Sequence, residues 1–214
     1  MTSQTTSHAA LMDETYRYQR LFYDVTRAWF LLGRDRLISD LAPPADARVL
    51  EIGVGTGRNL QQIARRYPDR RLYGLDISRE MLRTAEAKLG ARAWLSQGDA
   101  AAFDGLALFN TADFDRIVIS YALSMIPDWQ GAIRCAAQHL APGGSLHMMD
   151  FHDQSGLPRA FERALGAWLA RFHVTPRTDL ASAAGRIATE TGCKARHVPL
   201  FRGYAQYAVI ARPS

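Results

Sequence analysis

The stretch Glu51-Ile-Gly53-Val-Gly55-Thr-Gly57-Arg-Asn59 decides the fold. It follows a short apolar run, Arg48-Val-Leu-Glu-Ile52, which reads as a buried strand. It precedes a segment from about Asn59 to Arg66 with helical spacing. Three glycines at alternate positions leave no side chains where the backbone turns from strand to helix, so a ligand can approach the main chain closely. The spacing is G-x-G-x-G behind an acid, whereas a dinucleotide fingerprint is G-x-G-x-x-G. No Gly-Lys-Ser/Thr follows, which excludes a phosphate-binding loop for nucleoside triphosphates.

Working outward, strands and helices alternate. Arg71–Asp76 is a second strand, and Ser78 caps a helix over Arg79–Leu89. Arg92–Leu95 is a third strand and Phe114–Ser120 a fourth. A helix over Gly131–Leu140 ends at Pro142-Gly143-Gly144, and Ser145–Asp150 is a fifth strand. This order predicts an α/β fold with a parallel, doubly wound, Rossmann-like sheet. Helices near Leu157–Phe172 and Asp179–Thr191 follow. Two further strands, Ala195–Phe201 and Tyr204–Ala211, flank Arg202-Gly203 and would close the sheet as an antiparallel hairpin. On the amino-terminal side, Pro43-Pro44 marks a boundary. Residues 1–42 read as a helical lid, with an aromatic helix from about Glu14, a break at Gly33 and a short helix over Arg34–Leu41. Residues 43–214 form the main domain.

Composition excludes several classes. The 214 residues are 48% hydrophobic and 22% charged, with a net charge of +5. Residues 1–150 carry 17 basic and 17 acidic side chains, and residues 151–214 carry 9 and 4, so the whole excess lies in the last segment. Cys135 and Cys193 are lone thiols, which argues against a disulfide framework or a structural zinc site. Met1–Met12 holds no Lys or Arg and no long apolar run, unlike a secretory signal. Ile117–Pro127 is far shorter than the ~20 residues of a membrane helix. The expectation is a cytoplasmic protein, peripheral at most to the inner face of the membrane. No basic stripe interleaved with aromatics suggests nucleic acid.

A site can be assembled at the strand ends. Asp76, nineteen residues past Gly57, can accept hydrogen bonds from both hydroxyls of a ribose bound over the glycine loop. Asp99, in Gln97-Gly98-Asp99-Ala100, can accept from the exocyclic amine of an adenine. Three acids at the ends of three successive strands describe an adenosine site without a pyrophosphate clamp. The plainer reading is a tight βα turn with acids as helix caps, and the coincidence of all three weighs against it. These residues, with the Leu-x-Pro-Gly-Gly turn at Leu140–Gly144, resemble the class I S-adenosylmethionine-dependent methyltransferases over about residues 45–214. The resemblance implies a seven-stranded sheet with an antiparallel last strand and S-adenosylmethionine as cofactor. Gly53, Gly55 and Gly57 would pass the methionine moiety, Asp76 would bind ribose, Asp99 adenine, and Ile77 and Ala100 would flank the ring. Glu51, Thr56, Asn59, Met81, Gly98 and Ser120 complete the candidate cofactor set.

A narrower likeness rests on other segments. These are Tyr23-Asp-Val-Thr-Arg27, Phe30–Asp35, Ser120–Trp129, Asp150-Phe151, Phe172–Arg177 and Phe201–Tyr204. Together they resemble the bacterial diacylglyceryl-homoserine N-methyltransferases of betaine-lipid synthesis. That resemblance implies three successive methylations of one lipid-headgroup amine. Aromatic faces suit the growing cation, so Tyr16, Tyr23, Tyr121 and Tyr204 are candidate cage residues, each reading equally as a packed aromatic. The acceptor carboxylate calls for a bidentate partner, with Arg27, Arg34, Arg177 and Arg202 as candidates. His152, on the same strand face as Asp150 and beside Asp153, is a candidate base whose default reading is a strand-end hydrogen bond. A metal site there is a weak signal, and none is assigned. His139 and His147 read as structural. Alternatives are a phosphatidylethanolamine or small-amine N-methyltransferase, and a non-catalytic cofactor-binding module. The arginines at 159, 163, 171, 177, 186 and 202 are expected to face anionic headgroups.

Overall fold

A computed structural model describes residues 31–171 and 174–214. The aromatic segment before Leu31, with Tyr16, Tyr23 and Arg27, lies outside the described residues, as do Phe172 and His173. In chain order the elements are α1 (Arg34–Leu41), β1 (Arg48–Ile52), α2 (Arg58–Arg66), β2 (Arg71–Asp76), α3 (Arg79–Leu89), β3 (Ala93–Gln97), α4 (Gly105–Phe109), β4 (Phe114–Ser120), α5 (Trp129–Gln138), β5 (Leu140–Phe151), α6 (Arg159–Arg171), α7 (Leu180–Glu190), β6 (Lys194–Leu200) and β7 (Ala205–Ala211).

The strands form one sheet in the order β3-β2-β1-β4-β5-β7-β6. β1 to β5 are parallel, β7 runs antiparallel to β5, and β6 pairs antiparallel with β7 on the outer edge. The doubly wound sheet with an antiparallel last strand is therefore present, and the closing hairpin inserts its second strand between its first and the parallel block. Central strands of such a sheet are covered on both faces, so they read as unbroken apolar runs rather than alternating ones. Val118 points into one buried cluster while Ile117 and Ile119 point into the other. Residues from α1, α2, α3 and α6 fill the first cluster, and residues from α5 and α7 fill the second.

Local chemistry explains the helix starts. The Ser78 hydroxyl accepts from Met81 N (3.3 Å), Asp104 from Leu106 N (2.9 Å), and Asp128 from Gly131 N (2.9 Å). The cap at Asp104 starts α4, a short helix the sequence pattern did not suggest. The largest departure is at residues 138–145. The helix stops at Gln138, and the Leu140–Gly144 segment belongs to β5, where Leu140 pairs with Phe114 ahead of a register shift. A Cβ on Gly144 would stand 2.7 Å from Ala141 O, so this close backbone packing requires glycine there. Tyr204, expected in the last strand, instead closes the turn that precedes it, where Phe201 and Arg202 adopt φ of 51° and 58°.

Pro43-Pro44 does separate α1 from β1. Leu37 and Leu41 of α1 are nevertheless part of the first core cluster, and Arg116 on β4 donates to the carbonyls of Leu41 (2.7 Å) and Ala42 (3.3 Å). Among the described residues no helix is long and apolar enough to cross a membrane.

Candidate active site

The glycine loop is pinned by the neighbouring strand: Gly53 N and Val54 N both donate to Leu75 O, at 2.8 and 3.0 Å. At Gly53, φ is 69° and a Cβ would meet that of Ala122 at 2.6 Å, so this glycine lets two strand ends converge. Gly55 has φ of 54°, but a Cβ there would meet nothing within 4 Å. The loop therefore presents its backbone to open space at that position, as close approach of a ligand requires.

Asp76, at the carboxyl end of β2, is 9% exposed. Its Oδ2 accepts from Gly55 N (2.8 Å) and its Oδ1 from Ser78 N (2.9 Å). Two backbone donors fix the carboxylate under the loop. Gln97 ties the next strand to this end by donating to Ile77 O (2.9 Å) while accepting from Arg79 Nε (2.7 Å). Asp99 is half-buried and accepts from Ala101 N (2.9 Å); Gly98 and Ala100 are also half-buried. Met81 is buried behind the loop, and Thr56 accepts from Lys88 Nζ (3.3 Å).

Glu51 is 1% exposed at the end of β1. Asn59 Nδ2 donates to its Oε1 at 2.7 Å, while its Oε2 is buried without a partner among the described residues. Burial pushes its carboxyl up to about 8, against the opposing pull of Asn59 and of the Arg34 charge. Among the described residues Asn59 Oδ1, Ser120 Oγ and Ser124 Oγ are likewise buried and unpartnered. Orphaned buried polar atoms each cost about 1–3 kcal/mol. Four of them, with the open space at Gly55, suit the polar methionine moiety of S-adenosylmethionine, and Asp76 suits its ribose.

Acceptor-side candidates are gathered unevenly. Tyr121 (φ 55°) is 1% exposed; its hydroxyl donates to Leu32 O (2.6 Å), and its ring packs edge-on against Phe151 at 4.8 Å. Burial and the nearby Asp150 charge push its phenol up. Tyr204, 4% exposed, packs on Phe151 at 5.8 Å. These two rings form the packed floor of this end, with little face open to a ligand. Arg34 opens α1, and its charge acts on both Glu51 and Tyr121. Arg177 donates to the carbonyls of Leu123 (3.1 Å) and Ile126 (3.0 Å) and stacks over Trp129 at 5.7 Å, which makes it a brace for the loop after β4. The exposed Arg202 lies in the hairpin turn. His152 has a buried Nδ1 with no partner among the described residues, and its Nε2 lies 3.8 Å from Asp153 Oδ2. His139 and His147 are tied into the core; His147, whose Nδ1 lies 2.6 Å from the Tyr207 hydroxyl, is pushed down to about 3, chiefly by burial.

Ser124 and Asp150 enter the sequence reading only within the likeness segments, with Asp150 also in the weak metal set beside His152, and neither is a candidate site residue. Asp150 is fully buried and its Oδ2 accepts from Ser124 N (3.0 Å), linking the ends of β4 and β5. Its signal was an acid at the end of a central strand.

Comparison with known proteins agrees with this geometry. The family described as "Methyltransferase domain" matches residues 49–144. An uncharacterised methyltransferase of Geobacillus thermodenitrificans is 30% identical over 155 residues, which is 71% of this chain and 69% of that protein. Demethylmenaquinone methyltransferase of Roseiflexus castenholzii is 29% identical over 160 residues, 72% of this chain and 64% of that one. The chain thus spans under two thirds of the length of that relative. Among solved structures, Haemonchus contortus phosphoethanolamine N-methyltransferase 2 in complex with S-adenosyl-L-methionine superposes with a TM-score of 0.67 at 16% identity, covering 85% of this chain and 52% of that one. The chain belongs to the class I S-adenosylmethionine-dependent methyltransferases, and S-adenosylmethionine is its cofactor.

Proposed function

We propose that the protein methylates the amine of a lipid headgroup, converting diacylglyceryl homoserine to its trimethyl betaine in three successive transfers. One observation carries this reading. The segments that resemble betaine-lipid N-methyltransferases are dispersed in sequence, and those in the described residues are knitted together at one end of the sheet. Tyr121 N donates to Met149 O (2.6 Å), Thr175 N to Ser124 O (3.0 Å) and His152 N to Tyr204 O (3.2 Å). Gln206 Nε2 donates to both Phe151 O and Arg177 O at 2.8 Å. The Haemonchus relative is named for an N-methyl transfer, whereas the Roseiflexus relative is named for a demethylmenaquinone.

When bound, the cofactor supplies a sulfonium-activated methyl group. The chain's own contribution is orientation and exclusion of water, which is sufficient for an in-line displacement in which charge moves rather than appears. Asp76 and the glycine loop fix one reactant. The buried oxygens of Glu51, Ser120 and Ser124 provide acceptors at the strand ends, and Arg34 supplies a cation for a carboxylate. A neutral amine needs no strong base, so deprotonation on entry is enough.

Lipid mass spectrometry tests the reading. The chain is co-expressed with a source of diacylglyceryl homoserine, and that lipid is expected to gain one, two and three methyl groups. Methyl gain by phosphatidylethanolamine alone, or by a demethylated quinone alone, would replace the acceptor.

A further inference from the structure

Between α6 and the segment 174–176 lies a cavity of about 490 Å³, within the size range of small-molecule sites. None of its lining residues belongs to the cofactor set. On the α6 side Gly166 and Ala170 stand one turn apart and leave room beside Leu169, with Val174 and Pro176 opposite. Hydrocarbon makes up somewhat more than half of the walls. One buried polar side chain faces this space. Gln154 lines it, is 5% exposed and sits at φ 60°. Its backbone is locked by Gln154 N donating to Gly203 O (2.8 Å) and Leu157 N donating to Gln154 O (3.0 Å). These bonds hold a non-glycine residue in the left-handed region, which fixes where its amide meets the cavity wall.

The cavity adjoins the methyl-transfer end. Thr175, on its wall, donates from its backbone to Ser124 O, and Ser124 N donates in turn to Asp150 Oδ2. Along α6 the lining stripe Gly166–Ala170 continues at helical spacing to the exposed Arg163 and Arg159. Glu162 lies between them, so the approach carries both signs with arginine in excess.

We propose that this cavity takes the acylglyceryl portion of the acceptor. The Gln154 amide donates to an ester carbonyl, and Leu169, Ala170, Val174 and Pro176 enclose the first methylenes of a chain. The assignment rests on the acylated-amine reading above, and its test separates the two.

The test is calorimetric titration with dihexanoylglycerol, a short-chain probe lacking any amine, in the presence of S-adenosylhomocysteine. Two variants are compared with the parent: Ala170→Trp, a helix-surface position whose new bulk fills the cavity, and Gln154→Leu. The parent is expected to bind, and both variants to bind at least about tenfold more weakly while retaining S-adenosylhomocysteine affinity and a cooperative melt. No binding by the parent would overturn the proposal, as would unchanged binding in either folded variant. If Ala170→Trp fails to fold, Gln154→Leu decides. Should dihexanoylglycerol binding be lost in the variants while no lipid amine gains a methyl, the cavity stands as an acylglycerol site and only the acceptor assignment falls.

Discussion

Glu51 shows how one buried side chain can tie stability to the chemistry of the site. Its carboxyl ionises near 4.5 in an unfolded chain, and burial raises it to about 8 in the fold. Between those values the folded protein keeps a proton that the unfolded chain has lost. Stability therefore falls as pH rises from about 4.5 to about 8, by up to about 1.4 kcal/mol per unit, and levels off above that. Glu51→Gln removes the titration while keeping a group that can bond Asn59. Melting of the cofactor-free proteins at several pH values between about 5 and 8 should give the parent a steeper decline than the variant. Parallel slopes would show that the carboxyl does not hold its proton. Much at this scale was legible in the sequence: Ser78 acts through capping chemistry that extends only a few residues, and Gly53, Gly55 and Asp76 lie at strand ends that the strand–helix alternation marks. The roles of Arg177 and Gln154 were not legible. Arg177 meets carbonyls more than fifty positions away, and the Gln154 conformation is imposed by the hairpin turn at Gly203.

At the scale of elements, the βα loop separates folding from binding. Gly53→Ala forces a Cβ to 2.6 Å from Ala122 in a left-handed conformation, so overpacking and backbone strain together cost about 2–4 kcal/mol. Gly55→Ala meets no neighbour and costs only the strain, about 1 kcal/mol. Its methyl group instead projects into the space left for the ligand. Chemical denaturation should thus rank Gly53→Ala as the less stable variant. Calorimetry should show Gly55→Ala losing about tenfold or more in S-adenosylmethionine affinity while it remains folded. Equal loss of stability in both would mean that the loop is only a tight turn. The strand–helix order could be read because central parallel strands are nearly continuous apolar runs. The start of β5 could not, because Pro142-Gly143-Gly144 has turn composition and joins the strand only through a register shift against Phe114. The place of β7 between β5 and β6 is likewise a matter of pairing partners, which a hairpin signal leaves open.

For the whole molecule, the net charge of +5 resolves into two faces rather than one. Arg186, on α7, donates to Gln130 (2.6 Å) and lies 3.6 Å from Glu190, on the side of the sheet served by the second core cluster. Arg177 is engaged with backbone. Neither is available to a headgroup in the way the sequence suggested. Arg159, Arg163 and Arg171 lie on α6 above the first cluster, where only Leu165 and Leu169 of that helix are buried. Phe161, 44% exposed, lies 6.5 Å ring to ring from Tyr204, and the turn beside it carries Arg202 and the 47% exposed Phe201. Exposed aromatics among arginines at the acceptor end suit an anionic bilayer surface, where each basic residue contributes about 1 kcal/mol within a Debye length of about 10 Å at 0.1 M salt. The paired reversal Arg159→Glu with Arg163→Glu should therefore reduce sedimentation with phosphatidylglycerol-containing vesicles by about tenfold or more. Parent binding should weaken as salt rises, and Arg186→Glu should leave it nearly unchanged. Binding that ignores salt and anionic lipid alike would detach this face from the membrane, because an electrostatic attraction at exposed side chains cannot escape screening.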